Sequence, residues 1–248
     1  MQEVPTRRAG SRNLLLASLP DDVYTAIQPL LEIVGLEEHQ VLLKPGEASR
    51  YIYFPRGGFL SVAVTLIDGS MVEVAPIGRE GLAGIPAKGP ALSAMTTALI
   101  VLHGGGECAY RMRIEDFQRE IDKCGVFTDV VNHYSEAFLG VVMQNTCCNA
   151  SHSVEERLAK WLLMAQDRLD SPRFRITQEF LATLLGTTRQ TVTGIASALY
   201  KNQVVDYTRG QMEILDRAAL ESVSCECYRV SKQLLESVRA SHYTPAAS

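Results

Sequence analysis

Between residues 177 and 209 the chain carries the side chains a protein uses to read base pairs. Arg189 and Gln190 are adjacent. A guanidinium forks onto the O6 and N7 acceptors of guanine, and a carboxamide pairs with N6–H and N7 of adenine. Thr187, Thr188, Thr191 and Thr193 surround this pair. Threonine hydroxyls bind phosphate oxygens, and threonine methyls meet thymine methyls. Thr177 and Gln178 upstream and Arg209 downstream complete the candidate contact set, Arg209 as a phosphate ligand.

These side chains do such work only if two helices and a hairpin hold them. Thr177 is placed to cap a helix through Leu185, with Glu179 in its first turn and Phe180, Leu181, Leu184 and Leu185 as its apolar stripe. Gly186 stands where the chain must turn left-handed to leave that helix. Thr188 then caps a second helix to about Lys201, which buries Val192, Ile195, Ala196 and Leu199 and leaves its polar residues outside. Val204–Tyr207 and Gln211–Ile214 flank Thr208-Arg209-Gly210 and read as a hairpin. Two short helices and a hairpin fit a winged helix-turn-helix, whose second helix enters the major groove. An ordinary helical hairpin with a solvated polar face fits the spacing as well.

Upstream, short apolar runs alternate with turn signals from Glu37 to about Tyr110, and Asp68-Gly69 marks a hairpin. This texture predicts an antiparallel roll or barrel. Leu14–Leu36 reads as one helix or two, with a start at Pro20-Asp21-Asp22. After Arg113 the pattern is helical. Phe127, Val131, Tyr134, Phe138, Val141, Asn145 and Cys148 form a heptad seam, expected at a dimer interface, with Asn145 fixing its register. A core-facing helix of a single subunit is the alternative. Ser153 to Glu156 is a capping box opening the next helix, which Ser171-Pro172 ends.

The 248 residues suffice for two modest cores. The net charge of −4 excludes a wholly basic nucleic-acid binder, although residues 172–217 hold six Arg and Lys against four Asp and Glu. No apolar run is long enough for a membrane span or signal peptide, and the six scattered cysteines do not form a disulfide scaffold, so a cytoplasmic protein with reduced thiols is expected. The five histidines form no His-x-His pair, and no nucleophile elbow or P-loop occurs. We therefore expect no enzyme. Cys225-x-Cys227 is shorter than the Cys-x₂-Cys of a zinc half-site, so no metal or cofactor is expected, and redox sensing by the thiols is a side hypothesis.

The run Ile176–Thr193 resembles the helix-turn-helix signature of the cyclic-AMP receptor protein/fumarate–nitrate regulator (Crp/Fnr) family. Glu37–Leu102 looks like that family's cyclic-nucleotide-binding β-roll, Phe127–Cys148 like its dimerisation helix, and Ile214–Arg229 like a branch with a helix after the wing. The family's second recognition arginine is replaced here by Gly194, and Gln190 stands where glutamate is common, which implies a different DNA site. Gly78–Gly84 is comparable to the family's effector-binding stretch, but Leu92 falls about where the phosphate-binding arginine belongs. A buried phosphate would lack its guanidinium, so dependence on cyclic AMP is not expected. Arg79, Glu80 and Lys88 are the remaining weak effector candidates. The resemblance implies no iron–sulfur sensing, because no cysteine precedes Cys108.

The expected organisation is α+β: a β-roll sensor over 13–125, a dimerisation helix over 126–150, a winged helix-turn-helix over 151–230 and a C-terminal helix or tail over 231–248. The expected partners are double-stranded DNA, a second copy of the chain and, as further candidates, RNA polymerase and a small-molecule effector, with no membrane. The rival reading is a ligand-binding or metal-binding, cupin-like protein that never meets DNA.

Overall fold

The computed structural model describes residues 12–84, 97–103, 109–169 and 171–240. The N-terminal part opens on α1 (Leu14–Ala17) and α2 (Asp21–Ile27). Asn13, fully buried, caps α1 through its Oδ1 and donates from Nδ2 to the carbonyls of Pro55 and Gly81, each at 2.9 Å. One carboxamide thus stitches the first helix to the strands behind it.

Seven strands follow: β1 (Glu32–Val34), β2 (Val41–Leu43), β3 (Tyr51–Pro55), β4 (Phe59–Thr65), β5 (Met71–Ile77), β6 (Thr97–His103) and β7 (Ala109–Arg113). They form two antiparallel sheets, ordered β1-β7-β3 and β2-β6-β4-β5. This is the expected roll. The Asp68-Gly69 turn joins β4 to β5 as the sequence predicts, with Asp68 Oδ1 accepting the Ser70 N–H at 2.9 Å. Its tip leaves Leu66 and Ile67 in solvent.

Helices α3 (Ile114–Ile121), α4 (Val126–Ser151) and α5 (Val154–Leu169) come next. The predicted capping box opens α5: Ser153 N–H donates to the Glu156 carboxylate at 2.8 Å, and Glu156 N–H returns to Ser153 Oγ at 3.3 Å. The last part holds β8 (Arg173–Arg175), α6 (Gln178–Leu185), α7 (Arg189–Lys201), β9 (Val205–Thr208), β10 (Gln211–Ile214), α8 (Arg217–Val223) and α9 (Cys227–Ala240). Strands β8, β10 and β9 make a third antiparallel sheet in that order. Helix α9 then turns back along α4, where Val238 joins the core of Leu15, Phe54, Phe127 and Tyr134.

The heptad seam lies elsewhere than expected. Phe127, Val131, Tyr134, Val141 and Cys148 are each at most 4% exposed within a single chain. Phe138 is partly buried and stacks on Tyr134 with ring centroids 5.9 Å apart. Asn145, expected to fix a dimer register, donates to the Val74 carbonyl at 2.6 Å and accepts from Lys160 Nζ. The apolar period marked a buried stripe, but the strands and α9 bury it. The outer face of α4 instead presents Leu139 at 57% and Met143 at 63% exposure.

Helix α5 is the inner support of the C-terminal part. Leu158, Ala159, Leu162, Leu163 and Ala165 are buried against Phe174, Leu181, Leu185, Val192 and Met212. Its other side rests on β5. There Trp161 Nε1 donates to Glu73 Oε1 at 2.9 Å, and the Arg168 guanidinium pairs with Glu80 at 2.7 Å, with both side chains shielded from water.

Burial pushes the Glu73 carboxyl above the usual carboxylate range, and the hydrogen bonds and cations around it pull less strongly the other way. A raised folded-state pKa means that charging Glu73 costs stability. The cost is absent below the unfolded-state pKa and grows as pH rises through the folded-state pKa. Glu73→Gln keeps the acceptor for Trp161 and removes the charge. Its Tm should exceed the wild type's at neutral pH, and the gain should fade in acid, as a series of melts against pH would record.

Candidate nucleic-acid interface

The helix-turn-helix forms from its own caps. Thr177 Oγ1 accepts the Phe180 N–H at 3.1 Å and starts α6. Gly186 ends it in the left-handed region, at φ 60° and ψ 44°, and its N–H reaches the carbonyls of Ala182 and Thr183. Thr188 Oγ1 accepts the Thr191 N–H at 3.2 Å and starts α7. Val192, Ala196 and Leu199 are buried and Ile195 partly so, which is the apolar face expected.

Arg189, Gln190, Thr191, Thr193, Gly194 and Ser197 are exposed on the outer side of α7. Thr193 Oγ1 donates to Gln178 Oε1 at 2.6 Å, so the start of α6 and the second turn of α7 are joined. The Arg189 guanidinium stands 3.9 Å from the Glu179 carboxylate, both widely exposed. A pair this long and wet holds the guanidinium only loosely and leaves it available to an incoming ligand. Thr177, Gln178, Thr188, Arg189, Gln190, Thr191 and Thr193 thus share one surface. Thr187 is half-buried in the turn, where its N–H donates to Ala182 O at 2.9 Å.

Arg209 and Gly210 form the two-residue turn between β9 and β10, with φ values of 50° and 79°. The glycine satisfies the second left-handed position, while Arg209 takes the first and stays exposed at the tip. Tyr207 ties this hairpin to α6: its hydroxyl accepts the Gln178 N–H at 3.2 Å and donates to Ile176 O at 3.1 Å. Strand β8, the third strand of the wing, is not evident from the sequence. Arg173, Phe174, Arg175 and Ile176 alternate exposed and buried, a period-two signal too short to separate from a linker. The strand presents Arg175 to solvent, while Glu213 holds Arg173 at 2.8 Å.

The expected effector stretch is structural in the residues described. Glu80 is spent on Arg168 and on the Gly78 N–H, the latter at 3.0 Å. The Arg79 carbonyl accepts the Leu14 N–H at 2.7 Å. A Cβ on Gly81 would lie 2.2 Å from the Tyr134 ring, so only glycine lets the loop cross α4 there. Lys88 and Leu92 lie outside the described residues.

The cysteine spacing was also misleading. Cys148 near the end of α4, His152 beyond it, Cys225 ahead of α9 and Cys227 at its first position converge, with their ligand atoms all within 4.8 Å of one another. Two distant segments supply the set, so local Cys-x-Cys spacing did not test it.

Comparison with known proteins agrees with this geometry. Residues 156–223 match the Crp-like helix-turn-helix domain. Among solved structures, FixK2 from Bradyrhizobium japonicum superposes with a TM-score of 0.66 at 16% identity, covering 79% of this chain and 98% of that one. A protein assigned to the Crp/Fnr transcriptional regulators, from Eubacterium rectale, gives 0.62 at 17% identity over 84% and 96% of the two chains. The c-di-GMP-responsive regulator CLP of Xanthomonas campestris gives 0.61 at 12% identity over 79% and 100%. A search of curated proteins by sequence found no match. Among the described residues no helix is long and apolar enough to cross a membrane.

A Cβ at Gly194 would meet nothing within 4 Å in the free protein. Gly194→Ala should therefore stabilise α7 by about 1 kcal/mol, seen as a higher Tm. The same methyl lies on the exposed face of α7 that carries Arg189, Gln190 and Thr193. Binding to target DNA should weaken in a gel-shift titration although the protein is more stable.

Proposed function

We propose that this chain, a Crp/Fnr family member by its helix-turn-helix domain and its fold, regulates transcription as a sequence-specific, DNA-binding homodimer. The observation that carries this reading is the single exposed surface on which Gln178, Arg189, Gln190 and Thr193 stand beside a wing tipped by Arg209. Helix α7 enters the major groove. Arg189 swings from Glu179 onto a guanine, Gln190 reads an adjacent base, and Thr177, Thr187, Thr188 and Thr191 contact the backbone. Arg209 and Arg175 take phosphates on either side. Two such helices related by a twofold axis read half-sites about 34 Å apart.

The dimer face we assign is the outer side of α4, in place of the buried seam. Asn132, Glu136, Leu139, Met143 and Thr146 repeat at helical spacing and are exposed. Leu139 and Met143 are the apolar centre that a second copy would cover. The work is regulatory and, on this reading, cytoplasmic. The Xanthomonas campestris regulator CLP responds to a nucleotide, c-di-GMP. For this chain we propose independence from cyclic AMP and leave RNA polymerase as the further partner to test.

Selection of bound sequences from random DNA, followed by titration, tests the reading directly. Affinity should fall steeply with salt, Arg189→Ala should cost about 1–3 kcal/mol and relax one base position, and Arg209→Ala should weaken all sequences alike and lower the salt slope by about 1. Salt-independent, sequence-blind binding that ignores Arg189→Ala would overturn it.

The interface is tested separately. A Leu139→Asp, Met143→Asp double variant should sediment as a folded monomer and lose cooperative binding to a two-half-site operator. Phe127→Ala should instead lower Tm by destabilising the subunit, by about 3–5 kcal/mol.

A further inference from the structure

Cys148, Cys225 and Cys227 are buried and His152 is half-buried. Cys148 and His152 are four residues apart at the end of α4, on one face, and the His152 N–H still donates to Cys148 O at 3.0 Å. Cys225 comes from the link between α8 and α9, and Cys227 is the first residue of α9. Cys148 Sγ lies 3.6 Å from Cys225 Sγ, and Cys227 Sγ lies 3.6 Å from His152 Nδ1. Zinc–sulfur bonds of about 2.3 Å and zinc–nitrogen bonds of about 2.0–2.1 Å in a tetrahedron place ligand atoms roughly 3.5–3.8 Å apart. The two 3.6 Å separations match that range, and all four ligand atoms lie within 4.8 Å of one another, close enough to draw in around a single ion.

We propose that these four side chains bind one zinc ion as a closed Cys₃His structural site. The surroundings complete it. His152 Nε2 faces Glu226 at 3.2 Å, so Nε2–H donates to the carboxylate, which fixes the tautomer whose Nδ1 lone pair is free to bind the ion. Gln144 Nε2 donates to Cys227 Sγ at 3.0 Å. Three thiolates and one divalent ion leave one negative charge, and the nearly buried Lys160 lies close enough to Cys148 to act on it electrostatically. Three sulfurs and one imidazole favour zinc over magnesium or calcium, which take oxygen ligands. The tight spacing suits one ion better than an iron–sulfur cluster, whose thiolates are spread over several irons. On binding, three thiol protons pass to solvent and four ligand–metal bonds form, with no change of oxidation state.

The full-length protein, purified without a histidine tag under reducing conditions, should carry about one zinc per chain by elemental mass spectrometry. The metal-free protein titrated with cobalt should show the intense d–d bands and thiolate charge transfer of a tetrahedral site. Chelation should lower Tm, and added zinc should restore it. Cys225→Ser with Cys227→Ser should abolish stoichiometric metal, and Cys147→Ser, at an exposed neighbour outside the cage, should retain it. Because a double variant can fail to fold, the wild-type cobalt spectrum decides independently. A folded wild-type protein that gives only the weak spectrum of hexahydrated cobalt would overturn the site. So would a Cys148–Cys225 disulfide in the peptide map of freshly isolated protein. Neither readout involves DNA, so the zinc site and the proposed regulatory role stand or fall separately.

Discussion

The shielded pairing of Arg168 with Glu80 is the contact on which the relation between the two halves depends. A guanidinium at 6% exposure cannot be left without a counter-charge, and a carboxylate at 14% gains little from water. Each therefore fixes the other: Glu80 sits on the loop after β5, and Arg168 near the end of α5. Glu73 with Trp161, and Asn145 with Lys160, extend the same polar strip along β5 and α5. Such a strip adds modest net stability but is strict about register, since any slide of α5 over β5 would strand several buried polar groups together.

The surface proposed to read DNA inherits its position from this strip. Helix α5 buries one face against β5 and another against α6, α7 and the wing. Phe180 of α6 also packs, with Met71, on Ala63, and its ring meets His39 edge-on at 4.6 Å. Strands β4 and β5 thus touch the first helix of the motif. A ligand or partner that altered this docking would move α7 as a body, provided that it favoured one arrangement over the other.

Local features were legible in the sequence because short-range chemistry decides them. Thr177, Gly186, Thr188 and Ser153 each announced a helix end, and Asp68-Gly69 announced a hairpin, since caps and turns need only neighbouring residues. The roll followed from turn spacing. Ownership of the Phe127–Cys148 seam was not legible: a heptad period reports that a stripe is buried and is silent about what buries it. Glu80 was read as a weak effector candidate because its partner lies 88 residues away in α5. The Cys₃His convergence stayed hidden for the same reason, although the four-residue spacing of Cys148 and His152 at a helix end was a signal in plain view. Position 175 was missed because three residues of alternation are too few to mark a strand.

The return of α9 along α4 has a mechanical consequence. Most of the helix-turn-helix lies between two chain crossings, one leaving α4 through His152 and one entering α9 through Cys227. A body on a single tether can swing and twist about it. On two tethers set side by side, it retains a swing about the line that joins them, while twisting strains both. Cys148 and Cys225 hold these tethers 3.6 Å apart at the sulfurs. Were the docking of α5 on β5 released, the helix-turn-helix would hang like a door on a pair of close-set pins, with its travel confined to one arc.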